Sequence, residues 1–298
     1  MFRRVLLTVY IVSLLASFSA AQSKSATLAW KFTKGEKYAV TMNQDIKQSV
    51  KIHEMPLETS NSTTTYMTWT VDQVLEDGSA DMTCVIDRME MAVDIPNQGK
   101  VEIDTDKPGA DEGLAKQFEE MFAPMVNKTM KQVMSSQGKI SKVEIPDEMF
   151  EGMNANPMMA KMMNAKQMGE MIKKSSPVFP ANAISAGESW DQESITETPV
   201  GNMHMESKYI YRGPAKADGK DVHQIDVVAN LEFEAPEGSP ISIKIDEQDI
   251  KGALFFDIKS GKLHSNSMNQ KMKMEVKAGG QEMKQEMTQT LTGTFVRK

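Results

Sequence analysis

The sequence predicts an α+β protein in which long, strongly bent antiparallel β-hairpins form one or two curved sheets packed on central, methionine-rich helices. Three observations lead there. The stretch from Tyr38 to Ile52, YAVTMNQDIKQSVKI, alternates without a break. It sets Tyr38, Val40, Met42, Gln44, Ile46, Gln48, Val50 and Ile52 on one face, which is the period of a strand. The same device returns near the C-terminal end, where NSMNQKMKMEV and EMKQEMTQTLTGTF flank the turn-like KAGGQE. Finally, 26 methionines stand against three Trp and five Tyr, and many of them fall at helical spacing between the two β-rich halves.

The chain begins MFRRVLLTVYIVSLLASFSAAQ, with Arg3 and Arg4 ahead of an apolar run from Val5 to about Phe18 and then small residues. That order is the pattern of a secretory signal. Ser19 and Ala21 occupy the small positions before a cut, so residues 1–21 are expected to be removed and the protein to be exported, to the periplasm or outside the cell. The apolar run is shorter than the roughly 20 residues needed to span a bilayer, and no second candidate span follows, so no membrane span is expected after signal removal.

At about 3.3 Å per residue the run 38–52 would reach roughly 50 Å, whereas a usual strand holds about 5 to 6 residues. Its partner is TTTYMTWTVDQV, joined to it by the polar HEMPLETSNS, so the two runs read as one long hairpin. After EDGSA, the stretch DMTCVIDRMEMAVDIP changes apolar phase between Ile86 and Met89, the mark of a bulge that bends a strand. DEGLAKQFEEMFAPM then places Leu114, Phe118, Met121, Phe122 and Met125 on one helical stripe, with acidic residues at its start and Pro124 dividing its end. NPMMAKMMNAKQMGEMIKK offers Asn156 as a cap, Pro157 at the first helical position and two closing lysines. Its broad apolar face carries Met158, Met159, Met162, Met163, Met168, Met171 and Ile172. SSPVFPANA reads as a linker, so the expected division is a signal over 1–21, a first β-rich half with the helices over 22–175, and a second β-rich half over 176–298.

The halves align weakly with one another. FTKGEKY faces ISAGESW, VLEDGSADMTCVIDRMEMAVD faces PAKADGKDVHQIDVVANLEFE, and SSQGKISKVEI faces DIKSGKLHSNS. Gly35, Gly78 and Gly138 thereby meet Gly187, Gly219 and Gly261. An internal duplication and the ordinary likeness of turn-strand units both account for such matches.

A net charge of −7 argues against a protein built to bind a phosphate backbone. Cys84 is the only cysteine, so no intramolecular disulfide can form, and its strand-like surroundings suit a buried, inert thiol. His53, His204, His223 and His264 lack the spacing of common zinc sites. The triplets at Met89 to Met91, Met203 to Met205 and Met272 to Met274 put paired thioethers on one side of a strand, the soft ligands that suit Cu(I). In the most copper-like of them His204 points away from both sulfurs, so methionines lining an interior are the preferred reading. No nucleophile elbow, phosphate loop or dinucleotide fingerprint is present, and no catalytic residue, metal ligand or cofactor is expected.

LAWKFTKGEKYAVTMNQD, with Trp30, Phe32, Gly35 and Tyr38, resembles the N-terminal signature of an uncharacterised family of exported bacterial proteins, a domain of unknown function. That family implies no catalytic residues. The long bent hairpins are similar in architecture to the half-barrel of periplasmic lipoprotein carriers, whose concave face holds acyl chains. The function expected is therefore a non-enzymatic exported protein that binds a hydrophobic or amphiphilic, lipid-like ligand in a concave sheet. The candidate lining is Met42, Ile46, Met158, Met162, Met163, Met272 and Met287. The alternative is a structural or protein-interaction component of the cell envelope that takes no small ligand.

Overall fold

The computed structural model describes residues 25–52, 55–96, 99–110, 112–153, 160, 164–198, 201–236, 238–239, 241–278 and 281–298. The signal-like segment 1–21, His53, and the expected cap Asn156 with Pro157 lie outside them.

The described residues form twelve strands: β1 (Lys37–Ile52), β2 (Met55–Val74), β3 (Ala80–Ile95), β4 (Gly99–Asp104), β5 (Thr129–Met134), β6 (Ile140–Glu144), β7 (Ser189–Thr198), β8 (Gly201–Ala217), β9 (Lys220–Glu234), β10 (Ile241–Asp257), β11 (Lys262–Ala278) and β12 (Gln281–Arg297). All of them belong to one antiparallel sheet in the order β6-β5-β3-β2-β1-β12-β11-β10-β9-β8-β7, with β4 also paired to β3. Helices are minor. They comprise α1 (Gly113–Phe122), α2 (Ala165–Ser175) and 3₁₀ segments at Ala123–Met125 and Asp147–Met153.

This corrects the expected α+β arrangement with central helices. The first and last strands pair along almost their whole length, from Tyr38 opposite Arg297 to Lys51 opposite Lys284, so both β-rich halves merge into a single sheet. The helices pack at its margins, on β4, β6 and β7. α1 stops at Phe122 because Pro124 cannot continue it. α2 begins where Asn164 caps it by accepting the Gln167 N–H at 3.0 Å; the start expected at Asn156 and Pro157 lies outside the described residues. Met125, Met149, Phe150 and Met153 form a small cluster with Ile86, against which Met67 and Met89 of the strands pack.

α2 touches both edge strands, β6 and β7, so the sheet curls until its margins meet across that helix. The main core lies at this closed end. Val40, Met82, Ile140, Tyr211, Ile225 and Phe256 reach it from strands spread over the whole sheet. The segment ahead of β7 is tied to it by Gln192, whose side chain accepts the Val178 N–H at 2.9 Å and donates to the Ser176 carbonyl at 3.0 Å.

Two of the aligned glycine turns have the same local geometry. Gly35 (φ 82°) donates its N–H to the Val71 carbonyl, and Val71 donates to that of Glu36. Gly187 (φ 93°) donates to Tyr211, and Tyr211 to Glu188. Both positions demand positive φ, where a side chain would be strained.

The buried Tyr211 hydroxyl and Nδ1 of His223 share a hydrogen bond of 2.5 Å, and the two rings stack at 5.8 Å. Burial lowers the His223 pKa, against the opposing charge of Asp257. Protonation therefore favours the unfolded chain. The stability contribution is complete above the ordinary histidine value of about 6.5 and is lost as pH falls from there toward the folded value. Urea unfolding of His223→Gln at pH 7.5 and pH 5 is expected to give a smaller difference between the two midpoints than the unaltered protein shows.

Candidate functional site

Beyond the core the long strands continue, and their register fixes which side chains share a face. Gln44 stands opposite Leu291 and Leu291 opposite Met268. One row further out Ile46, Gln289 and Gln270 are neighbours, and in the next row Gln48, Met287, Met272 and Gln248. Val50, Gln285, Met274 and Ile245 follow. On the far side Ser207, Met205 and Met203 of β8 stand opposite Ala229, Leu231 and Phe233 of β9. Among the described residues beyond the core, this inner face carries no Asp, Glu, Lys or Arg from β1 through β12.

The outer face is its opposite. Lys273 pairs with Glu247 at 2.7 Å, Lys251 with Asp249 at 2.7 Å, and Lys244 with Asp246 at 2.6 Å. Nearer β4, Arg88 binds Asp104 at 2.6 Å and holds its carboxyl well below the usual carboxylate range. Exposed pairs of this kind add little to stability, but they keep the outer surface solvated. A recess of about 630 Å³ lies on this charged side between two rows that include Lys47, Lys271, Glu58 and Glu286. Met272, Met287, Gln48 and Gln248, whose side chains belong to the inner face, also border it. Its chemistry is that of a solvated surface, so the inner face is the better candidate site.

Four candidate residues share that inner face. Met272 and Met287 are directly opposed, Ile46 lies one row nearer the core, and Met42, opposite Gly293, packs against the core itself. Met272 is 6% exposed. Met158, Met162 and Met163 lie outside the described residues. The amides of Gln44, Gln48, Gln285 and Gln289 join the four candidates on the inner face, as their in-phase recurrence in the alternating pattern implies. Met203, Met205, Leu231 and Phe233 lie on it as well, and no local pattern in the sequence links them to the terminal hairpins.

The β9–β10 ladder ends where Ile250 faces Ala229. There the Gln248 side chain takes over, accepting the Leu231 N–H at 2.8 Å and donating to the Leu231 carbonyl at 2.9 Å. A bulge between Ile245 and Glu247 follows, and the two strands part beyond it.

Burial pushes the Cys84 thiol up to about 12, with a smaller contribution from Asp72, so the thiolate is not formed near neutral pH. Among the described residues, no three His, Cys, Asp or Glu side chains come together as a metal-binding group, and no helix is long and apolar enough to cross a membrane.

No curated protein matches the chain. Among solved structures, lipovitellin, from a study of its lipid–protein interactions, is 10% identical with a TM-score of 0.43, over 90% of this chain and 25% of that one. The chain thus spans a quarter of the lipovitellin chain. An outer membrane channel from Pseudomonas putida F1 is 7% identical with a TM-score of 0.26, over 89% and 97% of the two chains. A DUF1329 family protein from Desulfovibrio piger ATCC 29098 is 10% identical with a TM-score of 0.13, over 86% and 84%. These scores are too low to establish a shared fold. The family model described as "Family of unknown function (DUF6263)" matches residues 77–296, well over half of the chain, and the protein belongs to that family.

Proposed function

We propose that this protein is exported and that, without catalysing a reaction, it holds a hydrophobic or amphiphilic, lipid-like molecule on the inner face of its sheet. One observation supports the reading above the others: the inner face stays free of charge for several rows beyond the core, while apolar side chains there remain open to solvent. Leu57 is 45% exposed and Met205 39%. Apolar side chains left in water on a face without charge are costly there, and a bound apolar molecule would cover them. Methionine suits it, because a flexible thioether repacks around ligands of different shape. Export is supported by the basic, apolar and small-residue order of 1–21.

The test uses N-phenyl-1-naphthylamine, an uncharged fluorophore that brightens in apolar surroundings. Saturable binding is expected. Met287→Asp, which places an unpaired carboxylate on the inner face, is expected to weaken it by at least about tenfold. Thr288→Asp, one residue along on the outer face, is expected to leave it unchanged. No binding by the unaltered protein, or equal losses in both variants, would reject the reading and favour an envelope component without a small ligand.

A further inference from the structure

The inner face is not simply greasy, and its polar groups narrow the class of ligand. Gln44 and Gln48 of β1 and Gln285 and Gln289 of β12 are half-buried on it. Among the described residues, their side-chain amides make no hydrogen bond. Gln270 stands directly opposite Gln289 and donates only to the sulfur of Met272, a weak acceptor. Each amide offers two donors and an acceptor. In a sheet that staples Gln192 and Gln248 to main-chain groups on both sides, these five are left with capacity to spare.

Resting on the binding function proposed above, we infer that the ligand is an uncharged amphiphile, whose ester, amide or hydroxyl groups meet the glutamine band while its hydrocarbon lies along the methionine rows. Amides satisfy such groups in both directions, donating to a carbonyl oxygen and accepting from a hydroxyl. An ionised carboxylate or phosphate on this face would lose water and gain no counter-charge, because no Lys or Arg of the described residues lies there beyond the core. That cost works against the charged form of any ligand and not against its neutral ester. The spacing fits as well. The band extends from Gln44 to the row of Gln285, about 20 Å along the strands at roughly 3.3 Å per residue, with the opposed Met272 and Met287 between its polar rows.

cis-Parinaric acid and its methyl ester carry the same fluorescent polyene and differ only in the ionisable head, so they isolate the point. At pH 7.5 the ester is expected to bind at least about tenfold more tightly than the acid, the discrimination that comes from desolvating an unpaired charge. Gln270→Lys, and independently Gln289→Lys, is expected to reverse the order by giving the carboxylate a partner. Equal affinities for acid and ester, or tighter binding of the acid, would overturn the inference and leave the binding function standing. Failure of both probes to bind would overturn the binding function itself. The comparison in the unaltered protein requires no variant to fold.

Discussion

Phe256→Ala is expected to lower the unfolding free energy by about 3–5 kcal/mol, the range for deleting a large aromatic from a well-packed core. Phe256 is completely buried and meets Trp30 edge-on at 5.6 Å and Phe179 at 4.9 Å. Those rings come from different stretches of chain: the segment ahead of β1 and the connection between α2 and β7. Removing the ring leaves a cavity between them and loosens both from the sheet. Phe256→Leu, which keeps more of the volume, is expected to cost less. Chemical denaturation measures both. An unchanged midpoint for Phe256→Ala would show that the two segments are not part of the cooperative core.

Glu36→Ala is expected to cost a similar amount, about 3–5 kcal/mol, because it strands a buried charge. The Glu36 side chain is 8% exposed and binds Lys262 Nζ at 3.2 Å and Arg297 Nε at 3.2 Å. Lys262, itself 13% exposed, lies over the rings of Phe32 at 5.2 Å and Tyr38 at 4.6 Å and donates to the Lys31 carbonyl. Without Glu36 that ammonium keeps its desolvation cost and loses its counter-ion. The double variant Glu36→Ala/Lys262→Met is expected to recover part of the loss, since an apolar chain suits the aromatic slot. If it proves no more stable than Glu36→Ala, the stranded charge is not the cause.

The same carboxylate makes a pH signature. Burial by itself raises the Glu36 pKa, but the neighbouring Tyr38 hydroxyl and the ion pairs with Lys262 and Arg297 outweigh it and hold the folded value below the ordinary one. Its contribution to stability is therefore complete above the ordinary carboxylate value and is lost as pH falls through the folded value. Glu36→Ala is expected to flatten the acid side of the stability profile.

Facing and local bends were legible in the amino-acid sequence, but strand length was not throughout: β2 begins at Met55 and runs through the stretch expected to connect the hairpin, because residues 55–62 pair with β1. The alternation of 38–52 became β1, the phase change between Ile86 and Met89 became the irregularity between Tyr66 and Met67 in the β2–β3 register, and the recurring Met and Gln positions share the inner face. This follows from the two-residue period of a strand. A slip of one residue would carry every charged side chain inward, so the pattern of charge specifies the face by itself. The methionine helices were less legible. An apolar stripe at helical spacing says that a helix must bury one side and leaves open which surface covers it.

Residue pattern alone thus determined that long antiparallel strands would separate an uncharged face from a charged one. Only the tertiary structure decided that both halves form one sheet, that the helices close its margins instead of filling its centre, and that the β8–β9 methionines continue the face begun by β1, β11 and β12. The physical reason is the range of the interactions. Facing is set by neighbours two residues apart, whereas the pairing of Tyr38 with Arg297 and the contact of α2 with both sheet edges join parts of the chain that no local periodicity connects.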